Sequence, residues 1–220
     1  LSPLPLAASL RQDWQQAKFP EMFDPQNYVS GRACDHYNRY EEDFNLAKSL
    51  GHNAHRFSIE WSRIEPEEGQ FSEEAIEHYR KVILTIKSRG MEPFVTLWHW
   101  TNPLWLEKAG GCESRKFAFY FVRYSEFVVK KLGAHVQFWI TLNEPTSVIA
   151  NAYWRGLWPP EKKSLMAANR VFNNFAKAHK DAYKKIHSIS SQARVGFAHI
   201  LQSFEPCSQN YWPDKLSVSF

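Results

Sequence analysis

The residues best suited to chemistry stand where an apolar run ends, at Asn143, Glu144 and Pro145. The run 138–142 is typical of a buried strand, and an amide and a carboxyl group follow it at once. In parallel α/β proteins, the loops that leave the carboxyl ends of strands surround the crevice where catalysis occurs. The sequence therefore predicts that Glu144 is a catalytic carboxyl group and that Asn143 lies beside it.

Two further segments carry polar side chains at comparable positions. Arg56 lies within the apolar run 54–59, where an unpaired guanidinium would be costly. It is expected either to bind a carboxylate in a crevice or to lie on a solvated edge. His99 and Trp100 directly follow the apolar run 93–98. An imidazole there can bind a hydroxyl and an indole can stack on a sugar ring, although a purely structural histidine is the alternative for His99.

Alternating strand-like and helix-like segments must position these residues. Hydrophobic periodicity and helix-stop glycines predict helices at about 36–50, 72–89, 117–132 and 164–188, and strands at 54–59, 93–98, 136–142 and 194–198. Ser72 is the predicted N-cap of the second helix. The apolar stripe of the last helix is assigned to Phe172, Ala176, His179, Tyr183 and Ile186.

Strands that are joined by helices must lie parallel, because each crossover returns the chain to the same end of the sheet. An open doubly wound sheet, including a flavodoxin-like module, and a (β/α)8 barrel both satisfy this condition. No Gly-rich phosphate loop follows any predicted strand, and the repeats are roughly forty to sixty residues long. These features favour an α/β fold of the TIM-barrel type, present here as a partial barrel of about four βα units.

Composition narrows the function classes. The chain has a net charge of +4 and no dense cluster of Lys and Arg, so nucleic acid is not an expected partner. No apolar run approaches the roughly eighteen residues of a membrane span. The three widely spaced cysteines, Cys34, Cys112 and Cys207, form no disulfide or metal pattern, which favours a reduced, cytoplasmic protein without a metal. Nothing in the sequence predicts the oligomeric state.

Four ordered segments carry a family resemblance, namely 35–43, 56–64, 95–100 and 139–145. With these segments, residues from about 34 to 160 resemble glycoside hydrolase family 1, the β-glucosidase family of retaining enzymes. The resemblance implies a TIM barrel that hydrolyses β-linked glucosides, galactosides or similar oligosaccharides and that needs no cofactor.

The resemblance also implies a role for each matching residue. Glu144 corresponds to the general acid/base, and Asn143 corresponds to the residue that binds the 2-hydroxyl of the sugar. His99 and Trp100 match a sugar-binding pair, and Arg56 matches an arginine beside the nucleophile. A retaining glycosidase needs a second carboxyl group about 5–5.5 Å from the first, which attacks the anomeric carbon.

That second carboxyl group has no counterpart in this sequence. The family places it in an Ile/Val-Thr-Glu-Asn-Gly segment, which does not occur before Phe220. Glu60 and Glu107 lie near strand ends but do not follow the family pattern. We therefore expect the isolated chain to be an inactive fragment of a β-glycosidase. The alternative is a catalytically silent sugar-binding or interaction remnant.

The amino-terminal segment 1–30 matches the family poorly, and the partial barrel domain is assigned to 31–220. The family's sugar-binding Gln of strand one has no counterpart before residue 13. Asp13 and Trp14 mark a point from which the sequence again becomes similar to the family.

Overall fold

Four parallel strands form a single sheet in the computed structural model, which describes residues 33–201. In sheet order they are β1 (Ala54–Ser58), β2 (Glu92–Trp98), β3 (Phe138–Asn143) and β4 (Arg194–Ala198). Spatial order follows chain order, without the reversal that creates a switch point in a doubly wound sheet. This continuous winding is what a barrel requires, and the predicted parallel sheet is confirmed.

The strand register brings the carboxyl ends of the strands to one edge. Ser58 pairs with Thr96, and Thr96 pairs with Ile140. The pairing of β3 with β4 has an irregularity between Ile140 and Asn143. Side chains at the ends of β1, β2 and β3 therefore face the same region, as the sequence predicts.

Helices connect the strands and cover one face of the sheet. They are α1 (His36–Ser49), α2 (Trp61–Ile64), α3 (Glu73–Ser88), α4 (Leu104–Lys108), α5 (Phe117–Leu132), α6 (Pro145–Val148) and α7 (Leu165–Ile189). Short 3₁₀ turns cover Gly111–Glu113 and Gly133–His135, and a π-helical turn covers Ile149–Trp154. Within 33–201, no helix combines the length and apolarity needed to cross a membrane.

Side-chain caps define where α3 and α7 begin. The hydroxyl of Ser72 accepts a hydrogen bond from the amide of Ala75 at 3.1 Å, and Ser164 does the same for Ala167 at 3.2 Å. Each hydroxyl satisfies an amide that has no partner within its helix. The predicted N-cap at Ser72 is confirmed.

The core between sheet and helices is rich in aromatic rings. Trp61 stacks on Tyr124 with ring centroids 4.7 Å apart, and the hydroxyl of Tyr124 donates to the carbonyl of Leu97 at 2.9 Å. Trp98 and Trp139 are also fully buried. Several of the nine tryptophans therefore stabilise the fold rather than bind a ligand.

A buried ion pair ties α2 to α5. The Glu65 carboxylate is completely buried and accepts hydrogen bonds from Trp61 Nε1 at 2.9 Å and from the amide of Gly69 at 2.8 Å. The guanidinium of Arg123 pairs with the same carboxylate. These partners compensate for the cost of removing the charge from water.

The predicted apolar stripe of α7 is wrong at most positions. The residues that bury against the core are Ala167, Ala168, Val171, Phe175, Ala178, Ala182 and Ile186. Phe172 and Tyr183 are exposed, and only Ile186 of the predicted set is fully buried. Two sets of apolar residues lie on adjacent faces of α7. The alanine-rich face is the one that packs against α5 and is buried.

Two cysteines in the described range are free thiols. Cys112 is buried, and burial raises the pKa of its thiol to about 12. Cys34 is exposed. Cys207 lies outside the described residues, as do the amino-terminal segment 1–30 and its boundary.

Candidate active site

Arg56 and Asn143 meet across the sheet, from β1 and β3. Arg56 Nε donates to Thr96 Oγ1 on the intervening strand β2 at 3.0 Å, and its terminal nitrogen donates to the amide oxygen of Asn143. Thr96 and Asn143 are both buried, whereas Arg56 is exposed to the open side of the sheet. These contacts fix the orientation of the Asn143 amide.

The expected carboxylate partner of Arg56 is not observed in the part of the chain that the structure describes. Its partners there are a hydroxyl and an amide. The guanidinium still projects over the shared face of the sheet, where it binds Thr96 and Asn143. Arg56 is exposed on β1, and its guanidinium also reaches the site.

Glu144 leaves β3 in an unusual backbone conformation. Its φ of 42° and ψ of 55° lie in the left-handed region, which costs a residue other than glycine some strain. The Glu144 amide donates to the carbonyl of Ala198 at 2.9 Å, and Pro145 begins α6 directly afterwards. The hydroxyl of Ser147 donates to the Glu144 carboxylate at 3.0 Å. The turn therefore sets the direction of this side chain.

His99 and Trp100 lie beside the same strand ends. His99 Nδ1 is 2.9 Å from Ser58 Oγ. Trp100 also has a positive φ, of 76°, and its Nε1 donates to the backbone carbonyl of Asn143 at 3.0 Å. The Trp100 ring lies 4.8 Å from that of Trp158, centroid to centroid. The indole rings of Trp100 and Trp158 thus form an aromatic surface next to Asn143.

The pKa of His99 depends on its burial and on the charges of neighbouring site residues. Partial burial lowers the pKa of the imidazole, and the positive charge of Arg56 lowers it further. The carboxylates of Glu144 and Glu60 act in the opposite direction. The net lowering favours a neutral imidazole at pH 7, which can donate to one hydroxyl and accept from another.

Glu60 and Glu107, the two carboxylates considered as substitutes for the nucleophile, are hydrogen-bonded to neighbouring residues. Glu60 caps α2 through Ser62, and its other oxygen accepts from Thr101 Oγ1 at 2.9 Å. Glu107 accepts from Asn102 Nδ2 at 2.7 Å. Both side chains hold loops in place, which does not support an attacking role.

Sequence reasoning missed three contributors to this arrangement: Thr96, Ser147 and Ser58. Thr96 is a lone hydroxyl in an apolar strand, which is a usable signal because buried polar groups need partners. The roles of Ser147 and Ser58 depend on turn geometry and had no distinct signal. No group of three metal-ligating side chains occurs within residues 33–201.

The chain is similar to known proteins of one family. The profile described as glycosyl hydrolase family 1 matches residues 13–218. Beta-glucosidase A of Thermotoga maritima is 36% identical over 178 residues, which are 80% of this chain and 40% of that protein. Beta-glucosidase 42 of Arabidopsis thaliana is 34% identical over 221 residues, covering 92% of this chain and 45% of the relative.

Solved structures give the same picture. The family 1 β-glucosidase from Thermotoga maritima superimposes with a TM-score of 0.79 at 35% identity, covering 84% of this chain and 41% of that one. The same enzyme in complex with deoxynojirimycin gives a TM-score of 0.77. The partial TIM-barrel prediction is confirmed. The chain spans about two fifths of the length of the relatives it matches.

Proposed function

Since the chain belongs to glycosyl hydrolase family 1, we propose that it supplies the acid/base half of a retaining β-glycosidase site. The substrate class is a β-linked glucoside, galactoside or related oligosaccharide, in keeping with the β-glucosidase names of its relatives. The reaction uses carboxyl chemistry and requires neither a metal nor an organic cofactor.

One observation carries this proposal. Arg56, Trp100 and Asn143 are joined by hydrogen bonds at the carboxyl edge of the sheet, and Glu144 follows within the same turn. These residues come from three different strands or the loops after them. A structural role alone gives no reason to hold two residues, Trp100 and Glu144, in left-handed backbone conformations at one edge.

Glu144 acts as the general acid/base in the proposed mechanism. It protonates the glycosidic oxygen as the leaving group departs, and then removes a proton from the water that attacks the glycosyl intermediate. The attacking nucleophile is a second carboxylate about 5–5.5 Å away. Arg56 would favour its ionised form, because a nearby positive charge stabilises a negative one.

Asn143, His99 and Trp100 bind the sugar. With its oxygen held by Arg56, the Asn143 amide presents its nitrogen to the 2-hydroxyl. The neutral His99 imidazole binds a second hydroxyl, and the Trp100 ring supplies an apolar wall for the pyranose. Hydrogen bonds of this kind that strengthen in the transition state contribute to rate as well as to affinity.

Because no Thr-Glu-Asn-Gly segment occurs in Leu1–Phe220, the isolated chain is proposed to be inactive. The test is hydrolysis of a chromogenic aryl β-glucoside by the purified 220-residue chain. No turnover above background is expected. Turnover that disappears with Glu144→Gln would overturn the proposed inactivity and would place a nucleophile within this chain.

Sugar binding is tested separately, by calorimetric titration with deoxynojirimycin. The chain is expected to bind it, and Asn143→Ala is expected to weaken binding by about fivefold or more, since a hydrogen bond between two neutral groups is worth about 1 kcal/mol. Asn169→Ala, on an exposed surface of α7, is the matched control. Equal effects of the two substitutions would contradict the proposed sugar site.

The second candidate function is a catalytically silent sugar-binding or interaction remnant. The observation that favours it is the same missing nucleophile segment. The gene distinguishes the two. A reading frame that continues past Phe220 into a Thr-Glu-Asn-Gly strand supports the enzyme, whereas a stop codon there, with a stable product, supports the remnant.

A further inference from the structure

The loop that follows β2 contains a strained residue. Trp100 has a φ of 76°, in the left-handed region, where a bulky side chain is a rare exception. The local sequence does not favour this conformation, since neither neighbour of Trp100 is a glycine and the residue itself has a large side chain. Strain of this kind persists only where surrounding contacts hold it. The turn at Trp100 therefore depends on its neighbours in the fold.

Hydrogen bonds anchor the loop at Trp100 and again two residues later. Trp100 Nε1 donates to the backbone carbonyl of Asn143 at 3.0 Å, which fixes the indole ring. Asn102 Oδ1 accepts from Trp98 Nε1 at 2.8 Å. Asn102 Nδ2 donates to the Glu107 carboxylate at 2.7 Å. The residue between these two anchors then determines whether the strained turn can relax.

That residue is Thr101, and it binds Glu60. Thr101 Oγ1 donates to Glu60 Oε2 at 2.9 Å. The other carboxylate oxygen of Glu60 accepts from the Ser62 hydroxyl at 2.8 Å and from the Ser62 amide at 3.3 Å. The Glu60 amide donates to the hydroxyl of the buried Tyr79 at 3.0 Å. Glu60 is therefore fixed at its backbone and at its side chain, and it offers Thr101 a rigid acceptor.

We infer that Glu60 is a positioning residue for the sugar-binding pair His99 and Trp100, an inference that rests on the proposed function. By binding Thr101, Glu60 holds the backbone of Trp100 in the left-handed conformation that directs its indole to the carbonyl of Asn143. In this role the Glu60 carboxylate acts through Thr101 and contacts neither the sugar nor the reacting atoms. Glu60 thus contributes to sugar binding although it is not a nucleophile.

Glu60 also acts on His99 through its charge. Burial and the Arg56 guanidinium lower the pKa of the His99 imidazole. The carboxylates of Glu144 and Glu60 oppose that lowering. Glu60 therefore has two effects on the pair, a hydrogen bond that holds the turn and a charge that favours the imidazolium.

Two substitutions of Glu60 separate these effects. Glu60→Gln removes the charge and keeps the contacts, because the glutamine carbonyl can accept from Ser62 and its amide nitrogen can donate to the Thr101 hydroxyl. Glu60→Ala removes both the charge and the contacts. Glu74→Gln and Glu74→Ala, at an exposed position of α3, are the matched controls.

The geometry is tested by proton NMR on the full 220-residue chain, through solvent exchange of the Trp100 indole N–H. The signal is assigned by its loss in Trp100→Phe. Glu60→Ala releases the turn, so this proton is expected to exchange about tenfold faster than in the wild type. In Glu60→Gln the rate is expected to stay within about twofold of the wild-type value. Unchanged exchange in Glu60→Ala, or equal acceleration in both variants, would overturn the inference.

Thr101→Val removes the same hydrogen bond from its other end. It is expected to accelerate exchange of the Trp100 indole as much as Glu60→Ala does. The double variant is expected to be no faster than either single variant, because both substitutions remove one interaction. Additive acceleration would show that Glu60 acts on the turn by another route and would contradict the inference.

The charge is tested by proton NMR titration of the His99 imidazole. Glu60→Gln and Glu60→Ala are both expected to lower the pKa of His99, because the carboxylate that favours the imidazolium is gone. Glu74→Gln is expected to leave this pKa unchanged. A purely structural Glu60 would leave it unchanged in Glu60→Gln, and that result would contradict the inference.

Titration with deoxynojirimycin, which a solved relative binds, connects this positioning to sugar recognition. Glu60→Ala and Thr101→Val are expected to weaken binding about fivefold or more, since only chains with Trp100 in place bind the sugar fully. Glu60→Gln is expected to bind as the wild type does. Undiminished affinity in Glu60→Ala would overturn the role in sugar binding. A wild-type chain that binds no sugar, while the indole and imidazole respond as expected, would count against the proposed function and leave the positioning of the turn intact.

Discussion

Asn143 is the most constrained residue of the candidate site. Arg56 holds its side-chain oxygen, Trp100 holds its backbone carbonyl, and the residue is almost fully buried. An amide that is oriented before substrate arrives loses little freedom on binding, so its hydrogen bond to a sugar costs less entropy. Preorganisation of this kind is the main physical contribution of β1 and β2 to the site.

Removing the guanidinium tests this local network. In Arg56→Met, the pKa of His99 is expected to rise, because the positive charge that opposes protonation is gone. The measurement is a proton NMR titration of the His99 imidazole in the wild-type and substituted chains. Arg39→Met, on exposed α1, is the control. An unchanged or lower His99 pKa in Arg56→Met would contradict the network.

Residue types at the site were predictable, and their conformations were not. Asn143 and Glu144 follow an apolar run, and His99 follows another, so strand ends alone identify them. The left-handed backbone at Glu144 has no local signal, because a following proline favours an extended backbone and the bond of the Glu144 amide to Ala198 is a tertiary contact. Tertiary contacts of this kind are absent from any short sequence pattern.

At the scale of elements, capping makes a measurable contribution. Ser72→Ala removes the acceptor for the Ala75 amide and is expected to lower the free energy of unfolding by about 1 kcal/mol. Urea denaturation of the two chains measures the difference. Ser88→Ala, at the other end of α3, is the matched control with an expected change of a few tenths. An equal loss in both would argue against the cap.

The α2–α5 ion pair has a larger expected effect. Arg123→Met leaves the fully buried Glu65 carboxylate without its cation, which is expected to cost about 3 kcal/mol in urea denaturation. Adding Glu65→Gln removes the buried charge and is expected to recover part of that loss. Arg115→Met, an exposed arginine just before α5, is the control. Little loss in Arg123→Met would mean that the pair is not stabilising.

Helix positions were more predictable than helix faces. Ser72, Gly90 and Gly133 bound α3 and α5 much as the sequence predicts. The stripe of α7 was not predictable, because Phe172 and Phe175 begin equally periodic patterns. Only the partner helix decides between them, and α5 packs on the alanine-rich face. Hydrophobic periodicity therefore identifies the helix, whereas tertiary packing determines which of its faces is buried.

At the scale of the whole molecule, four histidines have pKa values that are shifted in the same direction. The pKa values of His55, His78, His99 and His179 are all lowered, chiefly by burial. Between each lowered value and the ordinary value of about 6.5, the unfolded chain binds more protons than the folded one. Stability therefore falls as the pH drops through this range.

We expect a lower urea midpoint at about pH 5.5 than at about pH 7.5, since the ordinary histidine pKa of about 6.5 lies between them. His55→Gln is expected to make the pH dependence shallower, because it removes one of the four titrating groups. An equal or higher midpoint at the lower pH would contradict the assignment of these histidines as preferentially neutral.

The overall fold was predictable as far as the parallel sheet, because alternating strands and helices leave few topologies. The exposure of Leu46, Leu50, Phe172 and Tyr183 within residues 33–201 was not predictable, since these side chains resemble ordinary core residues in the sequence. Their exposure became evident only when the neighbours of α1 and α7 were known.

The central claim is that Glu144 is an acid/base, and leaving-group dependence tests it most directly. Residues 33–201 replace the matching region of the Thermotoga maritima β-glucosidase, which supplies the remaining strands. Circular dichroism establishes that the chimera folds. Glu74→Gln, an exposed glutamate on α3, is the matched control and is expected to leave turnover unchanged.

In this chimera, Glu144→Gln is expected to slow hydrolysis of an alkyl β-glucoside about 10²- to 10⁴-fold, because that leaving group needs a proton. The glycosylation step of a dinitrophenyl β-glucoside is expected to change far less, since its leaving group departs without protonation. Equal slowing of both substrates, no slowing of either, or a folded chimera without turnover would contradict the account.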